Sequence, residues 1–168
     1  DIIEGIKVTM IDNGMPIVVL RAADMGITGY ETPAELDANT ALKAHIESLR
    51  LACGPRMNLS DVSEKSVPKM VLVAPAKQGG AFMKRSFIPH KCHDTIGVFA
   101  AVSAATAALL PGSPAATVAS LPDGRHKTLG VEHPNGATSC VLELDEVGNV
   151  SRAGMLRTAR KLFDGNIF

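Results

Sequence analysis

Tryptophan is absent from this sequence, tyrosine occurs once and phenylalanine five times in 168 residues. The core must therefore be filled by Ala, Val, Leu and Ile, which lets backbone elements approach closely. An excess of one charge is also lacking: 17 Lys+Arg stand against 17 Asp+Glu. That balance argues against a nucleic-acid or membrane-surface partner, so any basic function has to be local. Cysteine is sparse and odd in number. Cys53, Cys92 and Cys140 lie far apart, a pattern that argues against a disulfide framework and for a reducing compartment, the cytoplasm. No basic stretch followed by an apolar one opens the chain, so no signal peptide is read. The triplets Asn58-Leu59-Ser60 and Asn149-Val150-Ser151 are accordingly taken as chance matches to the glycosylation pattern. The longest apolar run, Ile96 to Leu110, stops at Pro111-Gly112 and is too short to span a bilayer. There is no Gly-rich phosphate loop, no G-x-S-x-G elbow and no H-E-x-x-H. The chain opens Asp-Ile-Ile-Glu-Gly without an initiator Met and enters a strand-like run at once, so a piece of a longer polypeptide is expected.

What is present reads as one α+β domain without repeats or linkers. Ile6 to Ile11 and Pro16 to Arg21 form a strand pair around the turn signal Asp12-Asn13-Gly14. Thr32-Pro33-Ala34-Glu35 starts a helix: Thr caps, Pro suits the first position and Glu reaches back. Leu42, Ile46, Leu49 and Cys53 then share one helical face, Lys43, Glu47 and Arg50 the other, and Gly54-Pro55 is expected to end the helix. Lys69 to Ala74 and Ala81 to Ile88 read as strands. Thr95 to Leu110 is apolar all round, which predicts a helix buried on every side. His126 to Glu132 and Thr138 to Leu144 alternate as strands, and Val150 to Leu162 fits strand or helix, strand preferred. Arg157, Arg160 and Lys161 read as an exposed face or an interface. The expected architecture is a mixed sheet curled into a barrel around the buried helix, with one amphipathic helix outside.

The chemistry concentrates in RSFIPHKCHDTIGVF, residues 85–99. Three readings compete. A metal site would need four ligands, or three and an open position. His90, Cys92 and His93 are candidates, but adjacent side chains rarely converge on one ion, and the other histidines form no spaced set. A reactive thiol is the second: Cys92 lies near Arg85, Lys91 and His93 and just before a helix start, features that favour thiolate. An anion pocket is the third. A helix start has unpaired amides and partial positive charge, Arg85 can grip a carboxylate with two parallel bonds, and Ser86, His90, Lys91 and His93 add donors. Solvated strand-end charges, Lys84 among them, are the bland alternative. Asn13 reads as a turn residue that can also hold a ligand carboxylate.

The blocks IDNGMPIVVLRAADMGITGYETPAEL, VPKMVLVAP, RSFIPHKCH and RTARKLFDG, in this order, resemble the second half of the 4-oxalomesaconate tautomerase / 2-methylaconitate isomerase family. That family belongs to the diaminopimelate epimerase-like superfamily, and the resemblance runs nearly end to end. It implies a two-domain enzyme of bacterial aromatic-compound degradation with its active site between the domains. The reaction implied is a proton shift, allylic or keto–enol, in a small unsaturated di- or tricarboxylate, without cofactor or metal. This chain would be the C-terminal domain. Its partners would be the polycarboxylate and the N-terminal domain of the same enzyme, with the number of copies, homo-oligomer included, left open. Arg85 and Ser86 match positions expected to meet a substrate carboxylate. His90 to Thr95 matches the loop that carries a catalytic cysteine in related amino-acid epimerases, here Cys92, whereas the Lys and Cys credited with proton transfer in this branch lie in the first domain. Asn13-Gly14-Met15-Pro16 is similar to the epimerases' Gly-Asn-Pro-His turn with Met15 in place of its Asn, which speaks against an amino-acid substrate. A non-catalytic anion-binding or assembly domain, and a Cys92-based epimerase, stay open as alternatives.

Overall fold

The computed structural model describes residues 1–156 and 158–166. Two short strands, β1 (Ile2–Ile3) and β2 (Ile6–Lys7), pair with each other ahead of the main sheet. β3 (Thr9–Asp12) and β4 (Pro16–Arg21) form the expected hairpin. Its turn needs Gly14, whose φ is +88° and where an added Cβ would lie 3.1 Å from the Phe99 ring. Then come α1 (Pro33–Ala38), α2 (Thr40–Arg56), β5 (Lys69–Ala74), β6 (Phe82–Phe87), β7 (Cys92–His93), α3 (Val98–Leu109), β8 (His126–His133), β9 (Gly136–Leu144) and β10 (Val150–Met155).

The main sheet runs β10-β9-β8-β6-β5-β4-β3. β4–β5 and β6–β8 are parallel and the other pairs antiparallel, so the class is α+β with a mixed sheet. One face packs on α3 through Ile17, Val19, Val71, Val73, Phe82 and Leu129. The other packs on α1 and α2 through Val18, Leu20, Met70, Leu72, Met83 and Phe87. The near-continuous apolar strands follow from that double burial, each large side chain contributing roughly 1.5–3 kcal/mol.

Four expectations change. The long helix is two. The Thr32–Glu35 capping box opens α1, but Asn39 interrupts and its Oδ1 accepts from the Leu42 amide at 3.0 Å, capping α2. Gly54-Pro55 does not end α2, because the Met57 amide closes the last turn on the carbonyls of Cys53 and Gly54. Arg50, expected on the solvent side, is fully buried, because the segment after α2 folds over it. Its guanidinium meets both Glu47 oxygens at 2.7 Å and the carbonyls of Val62, Lys65 and Val67. Finally, α3 begins at Val98 rather than Thr95 and is not enclosed on every side. The sheet edges β3 and β10 both touch it but are not sheet neighbours, leaving Phe99 57% exposed between them. Residues 150–155 are strand. The reading of Arg157 as a basic surface group lies outside the described residues.

Candidate active site

β6 is paired with β5 along its length, but its other edge is shared. β8 takes Phe82 and Met83, and β7 takes Ser86 and Phe87. Between them, at Lys84 and Arg85, the sheet splits beside the entrance to α3. Strand alternation then separates three consecutive polar residues. Lys84 and Ser86 share the parity of Phe82 and face α3. Arg85 shares that of Met83 and Phe87 and faces the α2 side.

Lys84 has no exposed surface. Its Nζ lies 2.9 Å from Ser86 Oγ and 2.8 Å from the Thr95 carbonyl, and none of its partners is a carboxylate. Burial pulls its pKa down to about 7, opposed by the nearby Cys92 and aided by Arg85 and Lys69. His93 pairs with Ser86 across β7, and its Nδ1 lies 3.3 Å from the Thr95 carbonyl, in a role set by the tautomer. His133, at the end of β8, keeps a buried Nδ1 without a partner. Burial and the Lys84 charge hold its pKa down. The N-cap of α3 is Gly97, which offers no side-chain acceptor, so the first amides stay free for a ligand. Lys91, His93 and Thr95 border a cleft of about 920 Å³ that also takes in Lys69 and Asp37. Lys84 meets that cleft from behind, through Thr95.

The arrangement unites Ser86, His93 and Thr95 with Lys84, and brings Lys91 to the rim. Arg85, His90 and Asn13 go elsewhere, and Cys92 reaches the cleft from the core. Arg85 is buried on the opposite face, donating to the Glu31 carbonyl at 3.0 Å and to Met83 and Lys84, so it does not join Ser86. His90 turns to Glu47 on α2, 3.5 Å away. Asn13 donates from its side-chain amide to Thr106 Oγ1 at 3.0 Å and from its backbone amide to Ser103 Oγ at 3.2 Å, one to two turns into α3. Cys92 packs with Phe87 in the α2-side core, and burial pushes its thiol up to about 11. It also lines the cleft, and around its sulfur desolvation outweighs the cationic neighbours Arg85 and Lys84. Lys84 is the residue that the sequence reading left among solvated charges. The signal that marks it is the pattern Phe82-Met83-Lys84-Arg85-Ser86-Phe87, a strand buried on both faces whose parity assigns Lys84, not Arg85, to the side of Ser86.

Known proteins bear on this geometry. A family model described as PrpF protein matches residues 2–168. The (4E)-oxalomesaconate Delta-isomerase of Novosphingobium sp. (strain KA1) is 64% identical over 168 residues, which cover 100% of this chain and 47% of that protein. The 4-oxalomesaconate tautomerase of Pseudomonas putida is 52% identical over 165 residues, covering 98% of this chain and 45% of that one. The chain thus spans about half the length of the curated relatives it matches. Among solved structures, a methylitaconate-delta-isomerase superposes with a TM-score of 0.83 at 24% identity, over 95% of this chain and 46% of that one. The likeness shows the fold, the diaminopimelate epimerase-like α+β arrangement of a curled mixed sheet on a central helix.

Proposed function

Because the chain belongs to the PrpF protein family, we propose that it forms the carboxylate-binding half of a cofactor-independent isomerase for small unsaturated di- or tricarboxylates of the oxalomesaconate type. The observation that carries this reading is Lys84, a buried amine without a carboxylate partner, held by Ser86 and Thr95 on the approach to the uncapped α3. The names of the relatives, oxalomesaconate isomerase and tautomerase, support the substrate class.

The chemistry follows from charge. Shifting a proton along an allylic or keto–enol system passes through an enolate-like state with added negative charge. Fixed donors around that charge stabilise it more than they stabilise the substrate. The α3 amides supply such donors, Lys84 and Ser86 add their field from behind the Thr95 wall, and Lys91 and His93 draw the polyanion to the rim. The groups that take and return the proton belong to a second, N-terminal domain with which this chain acts. The three unpaired thiols support work in the cytoplasm. No described helix is long and apolar enough to cross a membrane.

The test is Lys84→Met in the two-domain enzyme. Removing one charge-assisted contact of about 2–3 kcal/mol lowers kcat/KM roughly 30- to 150-fold. Unchanged kinetics, or turnover of oxalomesaconate by the 168-residue chain alone, overturns the proposal.

A further inference from the structure

A buried lysine can serve an anion in two ways: as a permanent ammonium, or as an amine that is charged only when the anion arrives. Three observations separate these. First, Nζ is enclosed and meets only a hydroxyl and a carbonyl, Ser86 Oγ and Thr95 O, and no ion pair among the described residues includes it. An ammonium in that position keeps a full charge uncompensated and one N–H unused. A neutral amine donates to the Thr95 carbonyl and accepts from the Ser86 hydroxyl, which suits both partners. Second, the neighbours offer no compensating anion. Arg85 and Lys69 act against its charge, and the Cys92 thiol, the one group that favours it, stays protonated because of its own burial. From β8, His133 faces it as a further nitrogen group. From β7 and the approach to α3, His93 and Asp94 are exposed and make no bond to Nζ. Third, the carbonyl that holds Nζ belongs to Thr95, a residue of the cleft wall, so a ligand in the cleft sits within reach of the amine's field.

We infer that Lys84 is a conditional cation, resting as a neutral amine in the unliganded protein and taking one proton from solvent when a polycarboxylate binds. The inference rests on the carboxylate-pocket reading above. The proton comes from the buffer, and no covalent bond to the ligand is made. Binding and protonation are one linked equilibrium: the ligand's charge supplies the counter-ion that the fold withholds. The consequence for recognition is selectivity, since a neutral analogue of the same shape cannot recruit the cation. Lys84 is here a positioning residue whose charge depends on the ligand.

The experiment is calorimetric titration of the chain with trans-aconitate, an unsaturated tricarboxylate, in phosphate and in Tris, whose ionisation enthalpies differ. With a starting pKa of about 7, uptake comes to about 0.9 proton per ligand at pH 8 and about 0.1 at pH 6, and affinity falls up to about tenfold per pH unit above 7. Lys84→Met abolishes the uptake and flattens the pH profile. Lys84→Arg, always charged, binds without uptake. Binding by the wild type with no proton uptake at pH 8 overturns the conditional cation while leaving the pocket in place. Uptake that persists in Lys84→Met overturns the assignment to Lys84 and moves it to a histidine. No binding at any pH, either by the chain or by the two-domain enzyme, overturns the pocket reading and the inference with it. A carbon-13 titration of the labelled lysine Cε reads the same midpoint directly. It is expected near 7 without ligand and higher with it, and a midpoint above 9 without ligand overturns the inference.

Discussion

Lys84 Nζ stands 2.9 Å from Ser86 Oγ on the α3 face of β6, two residues apart and on the same side of the strand. That relationship sets the electrostatics of the site, and it has a cost in stability. The pKa of Lys84 is lowered from 10.5 to about 7 by burial. Between those values the unfolded chain binds a proton that the folded chain does not, so stability rises with pH across the window. Below about pH 7 both states are charged and the full penalty, on the order of 5 kcal/mol, is present. Lys84→Met is therefore expected to raise the denaturant midpoint most at pH 6 and to match the wild type near pH 10.5. The three buried thiols, with pKa values of about 11, lower stability at high pH in both proteins; Cys53 and Cys140 cancel in the difference, whereas Cys92, interacting with Lys84, adds a smaller change above about pH 9. A constant difference between the two proteins across this range would mean that Lys84 is not desolvated.

Arg85 gives the complementary test, because its neighbour on the strand points the other way. Its guanidinium holds the Glu31 carbonyl and rests on Met83, tying the segment before α1 to the sheet. Arg85→Met is expected to cost about 1–3 kcal/mol of stability through the acceptors it leaves. In the proposed two-domain enzyme its KM and kcat should stay within about threefold of wild type, which is under 1 kcal/mol. A loss in kcat/KM as large as that of Lys84→Met would place Arg85 in the substrate site.

Arg50 is the strongest purely structural cation. It is fully buried, bonded to both Glu47 oxygens and to three carbonyls of the segment 62–67. Arg50→Met leaves a carboxylate and three carbonyls unserved, and an expected loss of 3–5 kcal/mol follows, roughly, for one broken partner of a buried pair. Lys cannot span the same acceptors with a single ammonium, so Arg50→Lys recovers little of it. Thermal unfolding of the two variants checks both statements.

Cys92 is expected to behave as a core residue. In the native protein at pH 8 a thiol reagent such as DTNB should label none of the three cysteines quickly, since all are buried with pKa values of about 11. In guanidinium chloride all three should react. Cys92→Ala should change carboxylate binding by less than about twofold, under 0.5 kcal/mol. Fast native labelling at Cys92 would restore the thiol as a chemical candidate.

Much of the fold was legible because local signals and burial agree. The Thr32–Glu35 box, the turn at Gly14 and the apolar strand Lys69–Ala74 all appear where composition and spacing put them. The break at Asn39 was missed because the apolar face Leu42–Cys53 masks a cap that depends on one side-chain bond. The burial of Arg50 was not legible, since it depends on a loop returning over the helix from 12 to 17 residues away. The site was half legible. The residue types around 85–95 suggested an anion pocket just ahead of a helix, and α3 does follow them, starting at Val98 rather than Thr95. Which side each residue faces needed the strand parity of β6 and the split between β7 and β8, a tertiary feature. That parity puts Lys84, not Arg85, beside Ser86, and turns Cys92 toward the α2-side core.

Beside the same split lies a buried carboxylate, Glu132. Its carboxylate accepts from the amides of Lys77, Gln78 and Gly80 at 2.7–3.0 Å, fixing the β5–β6 connection against β8. Gly80 has no space for a side chain: an added Cβ would lie 2.7 Å from the Gly130 carbonyl. Burial alone would raise the Glu132 pKa, but the three donors outweigh it and hold it below the usual value of 4.5. A lowered folded-state pKa contributes stability that is present above about pH 4.5 and lost as pH falls through the folded value. Glu132→Gln, with one acceptor oxygen in place of two and no charge, is expected to cost about 1–3 kcal/mol at pH 7. The difference from wild type should shrink once the pH is low enough to protonate the native carboxyl. Faster hydrogen exchange at the amides of residues 77, 78 and 80 in the variant, with α2 amides unchanged, is the local signature. Equal exchange at those three amides would show that the carboxylate does not hold the connection.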